Sequence, residues 1–178
     1  MISFRNALPD DAPSLTILAR EIYKEHYLHL WHPGGAEWYM QEYAYALEKI
    51  QNELLDTHVE YYLAFENDVP AGYMKLVLDA PLPGNETKNG LEVERIYFFK
   101  NAMGKGTGRQ LMQLAMEKAK AMNKDFIFLK AMDSSRDAIG FYQKLGYTIC
   151  GTLKLPIPAF SLMKEEYRGM LVLKMDLF

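Results

Sequence analysis

The sequence predicts a single α/β domain over residues 1–178, a mixed sheet with helices packed on both faces. Segments of two-residue periodicity interleave with segments of helical periodicity, so each apolar sheet face has a helix to cover it. Hydrophobic residues make up 49% of the chain, enough at this length to fill one sizeable core. A glycine-rich turn separates a strand from an amphipathic helix in FFKNAMGKGTGRQLMQLAMEKAKAM, residues 98–122. Such a turn sits at the carboxyl end of a central strand, where open α/β sheets bind ligands.

In chain order, Ile2 to Arg5 forms a short strand, and Asp10-Asp11-Ala12-Pro13 starts a helix with acids and proline in its first turn. Leu15, Leu18, Ala19 and Ile22 fall on one face of that helix. A second helix covers Glu37 to Leu55. Val59 to Phe65 and Ala71 to Leu78 pair around the turn ENDVP, and APLPGNETKNG makes a long polar loop. Leu91 to Phe98 is the strand that feeds the glycine turn. The helix after the turn buries Leu111, Met112, Ala115, Ala119 and Met122 and exposes Gln113, Glu117, Lys118 and Lys120. Phe126 to Ala131 reads as a strand buried on both faces, Arg136 to Leu145 as a helix, and Tyr147 to Leu153 and Met170 to Met175 as the last strands.

The N-terminal MISFRNALPDD lacks the cationic and apolar runs of a signal peptide. No apolar stretch approaches the roughly 20 residues that span a bilayer, so the sequence predicts a cytoplasmic protein without a membrane partner. Cys150 is the single cysteine, which excludes an internal disulfide and a cysteine-cluster metal site. It is expected to be a small core residue of YTICGTL. Net charge is −3 without a long basic run, so no nucleic-acid partner is expected.

The first amides of a helix lack intrahelical partners and carry the positive end of the dipole, so they attract anions. Glycine removes the Cβ atoms that would hold a phosphate off that backbone. Gly104, Gly106 and Gly108, with Lys105 and Arg109 interleaved, therefore point to a phosphate-bearing ligand. A P-loop needs Ser or Thr after its lysine, yet Gly106 follows Lys105. A dinucleotide fingerprint would need glycine at Arg109 or Leu111. Neither a nucleoside triphosphate nor NAD fits.

LEVERIYFFKNAMGKGTGRQLM followed by SSRDAIGFYQKLGY resembles the GNAT N-acetyltransferase superfamily, and within it bacterial PaiA-like polyamine N-acetyltransferases. The resemblance implies a GNAT-like, mostly antiparallel central sheet, acetyl-CoA as cosubstrate, a small-molecule amine as acceptor, and a monomer or homodimer. It places the cofactor along Ile96, Tyr97 and Phe98 and across Met103, Gly104, Lys105, Gly106, Thr107, Gly108 and Arg109. Backbone groups of Tyr97 and Phe98 would bond pantetheine and polarise the thioester carbonyl. Met103 departs from the Arg or Gln that leads the family signature and offers phosphate no side-chain donor. Ser135 stands where the family commonly has Asn; it is either a pantetheine contact or the N-cap of the helix that follows.

An alkylamine of pKa about 10.4 is mostly protonated at neutral pH, so acetyl transfer needs a group to receive the amine proton. Glu92 and Glu94 are the candidates; strand alternation puts Glu92, Glu94 and Ile96 on one face and Val93, Arg95 and Tyr97 on the other. The resemblance gives Glu92 the usual base position, with Glu94 second, and makes Tyr142 the general acid for the departing thiolate. Phe141 is expected to pack in the core. The same resemblance sets the acceptor pocket in Tyr23 to Trp38, where Tyr27, Trp31 and Trp38 would recognise a cation. His26, His29 and His32 lack the paired spacing of a helical zinc site, so no metal is expected. The function implied is acetyl-CoA-dependent N-acetylation of a primary amine, spermidine or spermine first, with a protein amine or an amino-sugar antibiotic as other acceptors. A non-catalytic acyl-CoA-binding or sensing domain is the alternative that Met103 and Ser135 keep open.

Overall fold

The computed structural model describes residues 1–178 and contains seven strands in one sheet ordered β1-β2-β3-β4-β5-β7-β6. The strands are β1 (Ile2–Asn6), β2 (Val59–Glu66), β3 (Val69–Leu82), β4 (Asn85–Phe98), β5 (Phe126–Met132), β6 (Thr148–Lys154) and β7 (Gly169–Asp176). Every neighbouring pair is antiparallel except β4 and β5. Helices α1 (Ala12–Tyr27), α2 (Gly35–Trp38) and α3 (Leu47–Leu55) cover one face, and α4 (Thr107–Ala121) and α5 (Arg136–Lys144) lie with the core of the other. This is the mixed, mostly antiparallel α/β sheet that the sequence predicts.

Three expectations are corrected. The helix expected over Glu37 to Leu55 breaks: α2 passes into a π-turn at Tyr39–Tyr43, and α3 starts afresh at Leu47. The break turns Ala44 and Tyr45 into the core, at 0% and 1% exposure. Arg20 satisfies the freed carbonyls, its guanidinium donating to Met40 O at 3.2 Å and to Tyr45 O at 2.8 Å. The long polar loop is instead a hairpin tip, because β3 runs on to Leu82 and β4 already begins at Asn85. Its residues 85–89 are exposed, so no apolar face marked them as strand. Cys150 is exposed, since it lies on β6, the last strand of the sheet.

Two apolar layers flank the sheet. One joins Leu15, Ile22, Tyr45, Ile50 and Trp31 to Tyr61, Leu63 and Tyr73. The other joins Leu111, Met112, Ala115 and Ala119 of α4 to Met74, Leu76, Leu91, Val93 and Ile127. Burying a side chain of this size stabilises by roughly 1.5–3 kcal/mol, which fixes both helical layers and hence the strand ends between them.

Candidate active site

Parallel strands β4 and β5 pair only at Leu91↔Ile127 and Glu92↔Phe128. Beyond that point β4 continues to Phe98 and β5 to Met132 unpaired with each other, and the sheet opens as a wedge. Backbone groups that would otherwise form a ladder face into the opening. Each strand then leads to a helix N-terminus, α4 after β4 and α5 after β5, so two positive dipole ends flank the wedge.

The glycine turn closes the wedge at the end of β4. Gly104 and Gly106 have φ of +77° and +85°, the left-handed region that side chains rarely adopt, and a Cβ built on either meets nothing within 4 Å. The space above this backbone is open. The first helical bond here runs from Gln110 N–H to Gly106 O at 3.2 Å, so the amides of Thr107, Gly108 and Arg109 have no acceptor within the helix. Gly108 lies against the rings of Phe98 and Phe141, 3.7 and 3.6 Å from where its Cβ would stand. Met103 is 56% exposed, Arg109 is exposed, and Thr107 is buried. Lys105 is already engaged: its Nζ lies 2.7 and 2.8 Å from the two carboxylate oxygens of Glu66.

A register shift in the β3–β4 pairing sets the acidic residues. Lys75 pairs with Arg95 and Leu76 with Val93, which leaves Glu94 as the extra residue of a bulge. The expected alternation breaks there. Ile96 packs with Leu91 and Val93 on the α4 side, whereas Glu94 and Arg95 share an ion pair at 2.8 Å. Arg95, expected opposite Glu94, thus lies beside it, with its guanidinium 5.4 Å from the Tyr45 ring.

Glu94 Oε2 stands 2.7 Å from Lys75 Nζ, and Lys75 is itself 2.8 Å from Glu53 of α3. Burial, the largest single effect, raises the Glu94 pKa, but the combined pull of Arg95 and Lys75 exceeds it and leaves the carboxyl below its ordinary value. Glu92 behaves oppositely. It is 6% exposed, and burial pushes its pKa up, with Lys130 only partly opposing. Lys130 Nζ is 2.8 Å from Glu92 Oε1, yet lies off the hydrogen-bonding direction, so that oxygen has charge compensation without a hydrogen bond.

Aromatic residues line the rest of the cleft. Tyr27 ends α1 and packs on Tyr97 at 5.4 Å between ring centroids. The Tyr142 hydroxyl is close enough to raise the Tyr27 pKa, after the larger effect of burial. Burial pushes the Tyr142 phenol up to about 12. Ser135 occupies the N-cap position of α5, but its hydroxyl makes no capping bond, so it is free for another partner. Trp31 is buried, 5% exposed, and its indole N–H donates to Tyr23 at 2.8 Å. Trp38 is half-buried against Trp31, Tyr43 and Phe160.

An ion pair of one of the two acids with Arg95, or with Lys75 of the neighbouring strand, was legible in the sequence, and Glu94 pairs with both. Sequence reasoning missed the contact of His26, whose Nε2 lies 2.9 Å from the Phe98 carbonyl, and Lys130 as the partner of Glu92. A lysine within a strand is the signal the sequence offered for Lys130. An open acidic hollow of about 420 Å³, lined by Glu42, Glu48, Glu53 and Asp56 among others, lies beside α3, and its Glu53 reaches Glu94 through Lys75. β4, with Glu92, Glu94 and the glycine turn that follows it, forms one side of the wedge, and β5, leading to α5 with Ser135 and Tyr142, forms the other.

Residues 19–147 match the acetyltransferase (GNAT) family. An N-acetyltransferase encoded in the pepI 3′ region of Lactobacillus delbrueckii subsp. lactis is 36% identical over 88 residues, which cover 49% of this chain and 50% of the relative. The chain thus spans about half the length of the curated relatives it matches, 50% and 51%. Among solved structures, the PaiA N-acetyltransferase of Thermoplasma acidophilum in complex with coenzyme A aligns with a TM-score of 0.76, 19% identity and 99% of both chains. YncA of Salmonella typhimurium with its cofactor acetyl-CoA aligns at 0.70, with 17% identity over 100% of this chain and 95% of that one. At these identities the structural matches establish a shared fold.

Proposed function

The chain belongs to the acetyltransferase (GNAT) family, and from that premise we propose that it transfers the acetyl group of acetyl-CoA to a primary amine, a polyamine first among acceptors. The observation that carries this reading is the wedge between β4, which bears Glu92 and Glu94 and ends at free helix amides, and β5, which leads to α5 and Tyr142. Acetyl-CoA supplies the acyl group as an activated thioester. The residues fit it: bare backbone at Gly104 and Gly106 admits a pyrophosphate, and the amides of Thr107 to Arg109 can donate to it. Met103 adds nothing polar, so backbone carries this contact.

In the reaction the amine nitrogen forms a bond to the acyl carbon, the carbon–sulfur bond breaks, and the ammonium gives up two protons, one before attack and one as the amide forms; one in net reaches sulfur and the other is released to solvent. Glu92 receives the amine proton, directly or through water, because its raised pKa makes it the stronger base of the two acids. Glu94, held ionised by Arg95 and Lys75, attracts the cationic substrate. Backbone groups of Ile96, Tyr97 and Phe98 orient the pantetheine arm and polarise the acyl carbonyl, with Ser135 on the opposite wall. Tyr142 stays protonated at neutral pH and presents its O–H to the departing sulfur. Complete transfer to a thiolate of pKa about 8.5 is uphill by roughly 5 kcal/mol, so hydrogen bonding comes first and exchange with water completes it. Tyr27, whose ring packs on Tyr97 near the end of β4, borders the acceptor side.

Thiol release from acetyl-CoA with spermidine, spermine, an aminoglycoside, a lysine peptide and no acceptor tests the reading. Polyamine-dependent release supports it. Release with the peptide or aminoglycoside alone moves the acceptor class, and coenzyme A binding with no amine-dependent release favours a sensing domain, which has no use for Glu92 and Tyr142.

A further inference from the structure

The glycine turn is held by side chains outside it. The last backbone bond from β4 to β3 is Phe99 N–H to Ala71 O at 3.0 Å; after it the bonds are local, Ala102 N–H to Phe99 O at 3.0 Å and Met103 N–H to Lys100 O at 3.3 Å. Two carboxylates supply the long-range hydrogen bonds. Glu25 Oε2 accepts from Lys100 N–H at 2.9 Å, and Glu66, the last residue of β2, accepts from Lys105 Nζ with both oxygens at 2.7 and 2.8 Å.

These tethers meet the chain on either side of Gly104, where φ is +77° and the backbone reverses. Beside Glu25, His26 Nε2 lies 2.9 Å from Phe98 O. A carbonyl only accepts, so the ring nitrogen there carries the hydrogen. Glu25 stands in the last turn of α1, where the helix dipole disfavours a carboxylate, and its bond to Lys100 N–H offsets that cost.

We propose that Glu25, His26 and Glu66 are positioning residues that hold the turn in its anion-binding shape, and that Lys105 is a strut to Glu66 and does not lend its charge to the anion. The proposal rests on the coenzyme A reading given above. Arg109, exposed on the first turn of α4, is then the cation beside the free amides. The two roles open to Lys105 differ in sign. If Lys105 is a strut, removing Glu66 loosens the turn and weakens binding. If Lys105 instead pairs with phosphate and Glu66 competes for it, removing Glu66 strengthens binding.

The experiment is calorimetric titration of coenzyme A into the full chain and its Glu66→Gln, Lys105→Met, Lys105→Arg and doubly substituted Glu66→Gln/Lys105→Met variants. Glu66→Gln and Lys105→Met are each expected to raise Kd about two- to five-fold, the range of a partly exposed ion pair. The double variant is expected to bind no more weakly than either single one, and Lys105→Arg to stay near the parent. KM for acetyl-CoA should rise in step while KM for the amine and the Tm hold, which general destabilisation would not produce. His26→Ala should weaken coenzyme A, with His26→Gln, which keeps a donor, recovering part of the loss. Tighter binding by Glu66→Gln, or additive losses in the double variant, overturns the proposal. Failure of the parent chain to bind coenzyme A removes the underlying cofactor reading, a result visible before any variant is compared.

Discussion

Replacing Lys130 by Met probes the assignment of Glu92 as the base. In the parent, burial raises the Glu92 pKa and Lys130, 2.8 Å away, pulls it back. At an effective dielectric of about 20, unit charges about 4 Å apart interact by roughly 4 kcal/mol. The Lys130 side chain is 34% exposed, so solvent screens much of that, and the lower end of the usual effect of a neighbouring charge, about one pH unit, is the appropriate size. Glu92 must be ionised to accept a proton, so the acid limb of kcat/KM against pH should move upward by about one unit in Lys130→Met, with the rate above that limb little changed.

Stability changes in the same direction. A carboxyl whose pKa is raised on folding binds more protons folded than unfolded, so its contribution falls as pH rises from the unfolded value through the folded one. Lys130→Met enlarges that difference. The variant should therefore match the parent in Tm near pH 4 and fall below it at pH 8. A pH–rate profile measured with saturating acetyl-CoA and a fixed polyamine reads the first effect, and thermal melts at the two pH values read the second. An acid limb that stays in place while Glu92→Gln still abolishes turnover would refute Glu92 as the titrating base.

Glu94→Gln should raise KM for a polycationic amine several-fold and move the acid limb downward, because the Glu94 charge is one of the effects that raise the Glu92 pKa; steady-state kinetics with spermidine and a monoamine across pH checks this. Tyr142→Phe should lower kcat by roughly a hundred-fold or more, the usual size of a lost general acid, with coenzyme A Kd unchanged by calorimetry. Gly106→Val imposes a β-branched residue at φ +85°, at a cost of roughly 1–3 kcal/mol, and covers the open backbone. Coenzyme A Kd should rise at least about ten-fold, and a Tm fall without loss of affinity would contradict the turn as an anion site.

Elements that bury one regular face were legible in the sequence. The α4 stripe of Leu111, Met112, Ala115 and Ala119 is buried as its helical spacing requires. The glycine turn was legible too, because positive φ and open backbone are properties of glycine itself. What escaped depends on tertiary context. The bulge at Glu94 arises from the register with β3, and a strand read alone gives strict alternation, which put Arg95 on the wrong face. The helix break at Ala44–Ala46 is set by core space for Tyr45 and by Arg20, twenty-odd residues earlier. Cys150 looks like core in YTICGTL, and only the strand order, which puts β6 last, exposes it. Gly72 gave no signal either, yet a Cβ there would stand 2.3 Å from the Phe98 ring and 2.5 Å from Tyr97 O, so its absence lets the end of β4 lie close to β3.

The most direct test of the account is to follow both products of one reaction, free coenzyme A thiol by chromogenic assay and N-acetylated spermidine by mass spectrometry, in the parent chain with Tyr142→Phe alongside. Equal amounts of the two products from the parent, and a much slower but still matched pair from the variant, are the predicted result. Thiol without acetylated amine, or no thiol from a chain that binds coenzyme A, would contradict acetyl transfer in the β4–β5 wedge.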